Sequence, residues 1–227
     1  MFSINNQTLK FFLLVGSFFL LMAGIWFLSR PSDEVRNLKS VEVRSYEGKD
    51  LSSIADFREN SIKGPQSINK EDYRLKIKGL ADGEKNLAYD EIIGNHQAYK
   101  KVVTLNCVEG WSVTILWEGI LVRDLVDPEK IPADATTIIL RAYDGYSTSF
   151  PIDYILKNDI LMAYKMNDNV LLPERGFPFQ LVAEDKYGYK WIKWITEIEF
   201  SSDSDYRGYW ESRGYSNDGS LGNNFLD

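Results

Sequence analysis

The sequence predicts a β-rich, mixed α+β domain tied to a single N-terminal membrane span. Three observations lead there. Residues 11–29 read FFLLVGSFFLLMAGIWFLS, without a charge. Beyond them, short apolar runs of strand length recur between turn signals. Only short helical stretches separate those runs, with no internal repeat and no low-complexity tract.

Residues 1–10 are an N-terminal tail. As a helix, residues 11–29 would extend roughly 28 Å, close to the ~30 Å hydrocarbon core of a bilayer. The apolar region of a cleaved signal peptide is about 7–15 residues long and ends at small residues. This run is longer and ends at Trp26-Phe27-Leu28 before Arg30-Pro31, so it reads as an uncleaved, single-pass transmembrane anchor. Lys10 precedes it while Arg30, Arg36 and Lys39 follow, a balance that leans against an exported domain. Residues 30–45 read as a tether. Polar, poorly periodic sequence continues to about residue 68, and Asp56 to Pro65 forms a dense mixed arm ending in a turn signal.

Strand-like alternation begins at Tyr73–Lys78. Asp90–Gly94 reads as a short helix or turn, and Val102–Leu105 as a buried strand running into Cys107. Ser112–Trp117 is a further strand, Val122–Val126 a short helix stopped before Pro128, and Thr137–Ala142 a strand ending at the turn pair Asp144-Gly145. Pro151–Leu156 suits a helix with proline in its first turn. Ile160–Tyr164 and Val170–Leu172 flank Asn167-Asp168-Asn169 as a hairpin. Phe179–Ala183 reads as a strand. Trp191–Phe200 reads as a longer one, with Ile192, Trp194, Thr196, Ile198 and Phe200 on one face. Residues 217–227 are a C-terminal tail.

Composition narrows the chemistry. Of the 227 residues, setting the span aside leaves roughly 190, enough for one domain with a sizeable core. A net charge of −7 argues against non-specific nucleic-acid binding, which needs a cationic footprint. There is one cysteine, Cys107, and one histidine, His96. That excludes an intramolecular disulfide, C-x-x-C redox or iron–sulfur sites and c-type haem. It also argues against zinc, copper and non-haem iron sites, which need several such ligands. Any metal must arrive largely ligated by its own organic cofactor.

Taken alone, a single cysteine reads first as a small buried hydrophobe and second as a ligand or nucleophile. Cys107 stands at a strand end next to Gly110, where a side chain is presented to a cleft and backbone approaches a ligand closely. A cysteine-hydrolase reading needs a base beside the thiol, and His96 is the sole candidate.

The segment Asn106-Cys107-Val108-Glu109-Gly110-Trp111-Ser112 resembles the molybdenum-cysteine segment of the sulfite-oxidase-fold molybdopterin oxidoreductases. It is most similar to the bacterial methionine sulfoxide reductase catalytic subunits, with their C-V-E-x-W run. Asp144-Gly145-Tyr146, Gly176-Phe177-Pro178 and Lys186 to Lys193 occur in the family's order. The resemblance spans Tyr46 to Ser216, so residues 46–216 are read as a molybdopterin-binding oxidoreductase domain. It implies a barrel-like mixed-sheet sulfite-oxidase fold, a mononuclear molybdenum–molybdopterin cofactor, and Cys107 as the one protein ligand to the metal. A thiolate is a soft donor suited to a metal that cycles between oxidation states.

The resemblance also implies site positions. Trp191, Ile192 and Lys193 match the stretch that holds the cofactor's phosphate end, and Lys193 offers a compact cation for it. Arg58 and Asn60 fall in the arm that contacts the pterin ring, where an amide matches pterin donors and acceptors. Asp144 is a further cofactor candidate, and Tyr146 a pocket candidate. There are two departures. Arg175 stands where closer relatives have asparagine, and Gln180 where many carry an arginine toward the cofactor; a charge moved from one position to the other would keep the phosphate neutralised.

Glu109 lies two residues past the ligand, and in a strand it would share the face of Cys107. Sulfite oxidases proper surround the metal with arginines that attract a dianion. An acidic, aromatic pocket with Glu109 and Trp111 disfavours sulfite and suits a neutral or cationic oxide, a sulfoxide or N-oxide. The bland alternative is that Glu109 pairs with a nearby lysine. The aromatic and arginine-rich stretch Tyr206 to Tyr215 either lines a substrate funnel or packs as a clasp over the core.

The resulting expectation is an oxygen-atom-transfer enzyme with Cys107, Glu109 and Tyr146 at the reacting centre. No haem, flavin or iron–sulfur motif is present, so electrons need a membrane redox partner, a haem or quinone-linked subunit. Resemblance to exported relatives places the domain on the extracytoplasmic side, although no Arg-Arg pair precedes the span. The rival is a cofactor-binding or interaction module of the same fold without turnover.

Overall fold

The computed structural model describes residues 31–227 together with Val15, Ser17, Phe18, Leu21 and Met22. Apart from those five, the span read at residues 11–29 lies outside the described residues. Among the described residues no helix is long and apolar enough to cross a membrane.

Much of the stretch read as tether and arm is folded onto the body. Ser32 caps α1 (Asp33–Leu38) by accepting from the Val35 N–H at 3.2 Å, and Val35 is fully buried. A short hairpin follows, β1 (Ser45–Tyr46) and β2 (Lys49–Asp50). The buried Glu42 carboxylate accepts from Ser53 Oγ (2.6 Å), the Ile54 N–H (2.7 Å) and Asn167 Nδ2 (3.1 Å). Hydrogen bonds to a charged group contribute about 1.5–3 kcal/mol each. Periodicity is blind to this segment because its buried anchors, Val35, Leu51, Ile54 and Phe57, follow neither a helical nor a strand repeat.

Chain order continues through β3 (Arg74–Lys78), β4 (Lys85–Ala88), α2 (Tyr89–Asn95), β5 (Tyr99–Asn106), β6 (Ser112–Leu121) and β7 (Thr137–Ala142). After these come β8 (Ser147–Pro151), α3 (Ile152–Lys157), β9 (Leu161–Met166), β10 (Asn169–Val170), β11 (Gln180–Val182) and β12 (Ile195–Ser201). One five-stranded sheet is ordered β4-β3-β12-β7-β8, antiparallel except for the β3–β12 pair. The other is ordered β10-β9-β6-β5, with β11 also paired to β9. Their apolar faces share one core: Leu75, Ile77, Leu140 and Ile198 from the first sheet, Leu105, Ile115, Trp117 and Leu161 from the second. Each fully buried side chain of this kind contributes about 1.5–3 kcal/mol. The mixed-sheet α+β class is as the sequence predicts.

Backbones approach closely where β6 crosses β9. A Cβ on Gly119 would lie 2.4 Å from the Met162 carbonyl oxygen, and the register shifts between Glu118 and Gly119. The 167–168 hairpin forms as read, with Asn167 and Asp168 at φ +46° and +62°.

The short helix read before Pro128 forms as a 3-10 helix over Val122–Leu125. Three local expectations are corrected. β4 went unseen because Lys85-Asn86-Leu87-Ala88 lacks apolar alternation and pairs with β3 at the sheet edge. β8 went unseen because Ser147-Thr148-Ser149 is polar; it is buried because Thr148 Oγ1 donates to Glu211 (2.6 Å) and Ser149 Oγ to the Tyr206 carbonyl (3.1 Å). The strand read at Trp191–Phe200 starts only at Ile195. Trp191 to Trp194 are all buried, but in a loop in which Trp194 has φ +53° and donates from Nε1 to the Pro173 carbonyl (2.7 Å). A register shift between Ile195 and Glu197 then leaves Ile195, Ile198 and Phe200 buried and Thr196 half-buried.

Candidate active site

Cys107 opens the tight loop between β5 and β6. Its N–H donates to the Trp111 carbonyl (2.9 Å), its carbonyl accepts from the Gly110 N–H (3.1 Å), and Gly110 sits at φ +83°, a conformation that favours glycine. The thiol is half-buried and unbonded to another cysteine. Burial pushes its pKa up, and backbone hydrogen bonding at Glu109 and the nearby Arg58 charge pull in the opposite direction. His96 caps α2, its Nδ1 2.8 Å from the Ile92 carbonyl, and does not line the cavity that holds Cys107.

That cavity, about 380 Å³, is walled by four separate stretches of chain. The loop from Cys107 to Trp111 forms one wall, with Glu109 in a turn rather than a strand; its Oε2 accepts from Trp111 Nε1 at 3.1 Å. Glu109 still borders the cavity, but through the turn and not through a shared strand face. It pairs with an indole instead of a lysine.

The arm after Phe57 forms a second wall. Phe57 is buried edge-on against Trp111 and Trp117, with ring centroids 5.8 and 6.2 Å apart. Beyond it Arg58, Glu59, Asn60 and Ser61 border the cavity, and Asn60 Nδ2 lies 3.7 Å from Cys107 Sγ.

The third wall is the loop Lys186–Trp194. Tyr187 bridges to Asn106 beside the end of β5, and Gly188 packs so close that its Cβ would meet Cys107 Cα at 3.5 Å. Trp191, anchored by its Nε1 on the Lys186 carbonyl (3.0 Å), is followed by Ile192 and Lys193 on the cavity. Lys193 Nζ lies 4.4 Å from the Trp194 ring centroid and pairs with Glu59 at 2.8 Å. Burial lowers the Lys193 pKa, and the Glu59 carboxylate opposes that shift.

The last wall combines the turn after β7 with the C-terminal stretch. Asp144 is buried and accepts from the Tyr146 N–H at 2.9 Å. The Tyr146 hydroxyl donates to the Tyr189 carbonyl, so it is committed to holding the ring as a wall. Trp210 and Tyr215 close this side, and the intervening Glu211 is fully buried on Lys190 Nζ (2.7 Å) and Thr148 Oγ1. The aromatic stretch is therefore both a lining and a clasp.

Of the residues predicted for the site, all but Arg175 border this one cavity. Arg175 lies fully buried in the 3-10 turn Pro173–Arg175, its guanidinium 5.5 Å from the Phe57 ring centroid. A Cβ on the next residue, Gly176, would touch the Gln180 and Lys193 side chains at 3.1 Å. Sequence reading placed Tyr189 within a family motif, Trp194 on a strand face and Glu59 and Ser61 within the arm, but gave none of them an individual role at the site. Among the described residues no cluster of three His, Cys, Asp or Glu is placed to hold a metal ion.

A thiol facing a cavity of aromatic rings and a few charged side chains matches what comparison with known proteins finds. Residues 62–210 match the family model of the oxidoreductase molybdopterin binding domain. The chain belongs to this family of molybdopterin-binding oxidoreductases. It is 31% identical to the uncharacterized oxidoreductase YuiH of Bacillus subtilis, over 63% of this chain and 72% of that one. It is 28% identical to the protein-methionine-sulfoxide reductase catalytic subunit MsrP of Campylobacter jejuni, over 65% of this chain and 54% of the relative. The solved sulfane dehydrogenase SoxCD of Paracoccus pantotrophus superposes with a TM-score of 0.64 over 77% of this chain and 48% of that one; at 18% identity it speaks for the fold alone. The chain thus spans about half the length of the last two.

As a molybdopterin-dependent oxidoreductase, this protein takes a molybdenum–molybdopterin cofactor, and the cavity fits one. Two residues on its border carry buried polar atoms without a partner, Gln180 Oε1 and Ser61 Oγ, and beside Gly176, which packs on Gln180 and Lys193, all three guanidinium nitrogens of Arg175 are unpartnered as well. Such atoms are costly to bury alone and mark where a polar, anionic group belongs.

Proposed function

We propose that this chain is a membrane-anchored oxygen-atom-transfer enzyme acting on a neutral or cationic sulfoxide or N-oxide, small or protein-bound. One observation carries the substrate class. Arg58 and Lys193 share the cavity with three carboxylates, Glu59, Glu109 and Asp144, amid tryptophan and tyrosine rings. That balance repels a dianion such as sulfite and favours a neutral or positively polarised substrate.

When bound, the molybdenum centre supplies two-electron oxygen-atom chemistry. Cys107 is its thiolate ligand. Lys193 and Arg175 seat the cofactor's phosphate end, and Trp191 and Ile192 flank it. Arg58, Asn60, Asp144 and Gln180 serve the pterin. Glu109, held by Trp111, faces the positive end of the substrate, and Tyr146 keeps the wall in place. Reducing a sulfoxide consumes two electrons and two protons and yields a thioether and water. Electrons come from a membrane redox partner, haem or quinone-linked; the Campylobacter relative is named a catalytic subunit, a name that implies a second component. Residues 11–29 anchor the domain beside that partner on the extracytoplasmic side.

Metal analysis of the purified full chain, with viologen-coupled screening of oxides, tests the reading. Stoichiometric molybdenum with turnover of a sulfoxide or N-oxide is expected. Preferential sulfite oxidation refutes the substrate class, and bound pterin without turnover of any oxide favours the binding-module alternative. Protease protection in intact spheroplasts tests the membrane side.

A further inference from the structure

Lys193 and Arg175 are buried cations, and among the described residues Glu59 is the one carboxylate that pairs directly with either of them. Glu59 lies 2.8 Å from Lys193 Nζ with its side chain 25% exposed, and its charge also reaches Arg175. The charges of Glu174 on Arg175 and of Asp144 on Lys193 act in the same direction as Glu59, so carboxylates already offset both cations in a place shielded from water. A phosphate monoester carries about −1.5 to −2 charges and balances both cations alone. With Glu59 still in place the same site would turn negative, and two anions would compete for one ammonium.

The arm that carries Glu59 is built to let go. Phe57 anchors it, buried against Trp111, Trp117 and the Arg175 guanidinium. Past that anchor, residues 58–61 have no regular structure and make no backbone–backbone hydrogen bond among the described residues. Side chains hold the arm at two points, the Glu59–Lys193 pair and the 3.7 Å contact from Asn60 Nδ2 to Cys107 Sγ, a weak link at that distance.

We propose that Glu59 is an exchangeable internal counterion: the anionic end of the cofactor displaces its carboxylate from Lys193, and residues 58–61 then swing about Phe57. This rests on reading Lys193 and Arg175 as the anion seat. Because Asn60 is the next residue, the same movement takes its amide off the Cys107 sulfur and frees it for the pterin. Seating of the anion and release of the thiol are therefore one coupled event.

The test uses the full chain produced in cells that make no molybdopterin, with inorganic phosphate as the probe. Backbone nitrogen relaxation of residues 58–61 and calorimetric phosphate binding are the readouts. Phosphate is expected to raise the fast mobility of residues 58–61 in the wild type, and Glu59→Gln to show that higher mobility without phosphate. If the seat is free in about one molecule in ten, Glu59→Gln also tightens phosphate binding about tenfold. Lys193→Met is expected to lose phosphate binding. Phosphate that binds wild type while the mobility of residues 58–61 stays unchanged overturns the latch and leaves the seat intact. Phosphate bound equally by Lys193→Met overturns the seat and the latch with it.

Discussion

Replacing Arg175 by methionine is expected to make the cofactor-free chain more stable and the cofactor-loaded protein scarcer. The guanidinium is fully buried, and none of its three nitrogens has a hydrogen-bond partner. Burial lowers its pKa, while the charges of Glu174 and Glu59 act the other way without supplying a hydrogen bond. An unsatisfied buried polar group costs about 1–3 kcal/mol, more when charged. Methionine keeps most of the volume and removes the charge, losing a cation–π contact with Phe57 worth about 0.5–2 kcal/mol. The balance is a gain of about 1 kcal/mol, which for a chain of this size is a Tm rise of about 2–4 °C. Calorimetry of the full chain made without molybdopterin measures that gain. Pterin content of the same variant made with the cofactor available measures the loss: removing hydrogen bonds to an anion at about 1.5–3 kcal/mol weakens binding roughly 10- to 150-fold. A lower Tm with unchanged pterin content would make Arg175 an ordinary structural residue and refute the assignment.

Three further outcomes follow from the packing. Lys190→Met strands the fully buried Glu211 carboxylate and is expected to cost about 3–5 kcal/mol in urea unfolding, most of it recovered by Lys190→Met with Glu211→Leu; a single variant as stable as wild type would contradict the pairing. Burial alone would raise the Asp218 pKa, but hydrogen bonds from Lys186, Ser220 and Asn223 hold it well below the usual carboxylate range. Its unfolded form binds the extra proton first, so its stabilisation is complete above the ordinary Asp pKa and fades as pH falls through and below it. Asp218→Asn is expected to flatten acid-induced loosening of residues 217–227, read by protease cleavage between pH 2 and 5. Gly119→Ala places a methyl group 2.4 Å from the Met162 carbonyl oxygen and is expected to destabilise by about 1–3 kcal/mol in thermal unfolding; a neutral effect would mean the β6–β9 crossing is looser than described.

Legibility followed the kind of signal each element sends. β3, β7 and the 167–168 hairpin were readable because side-chain alternation and turn residues are local properties. β8 and the loop Trp191–Trp194 were not, because burial there depends on distant partners: Glu211 and Tyr206 accept from the β8 hydroxyls, and the Pro173 carbonyl accepts from the Trp194 indole. The packing of residues 31–57 was hidden for the same reason, since Glu42 finds Asn167 across 125 positions of sequence.

The site divides along that line too. The sequence by itself pointed to the class of chemistry through the resemblance of the Asn106–Ser112 segment and of the motifs that follow it in order, while composition only argued against sites that need several histidine or cysteine ligands. It also located the thiol, because Cys107 and Gly110 lie within one loop and local backbone geometry governs how that loop turns. Only the tertiary structure decided which charges meet. Glu59 reaches Lys193 across 134 positions, while Arg175 is buried with nothing to donate to. Pairing and desolvation are properties of the folded interior, where a cation's partner is set by packing rather than by sequence distance.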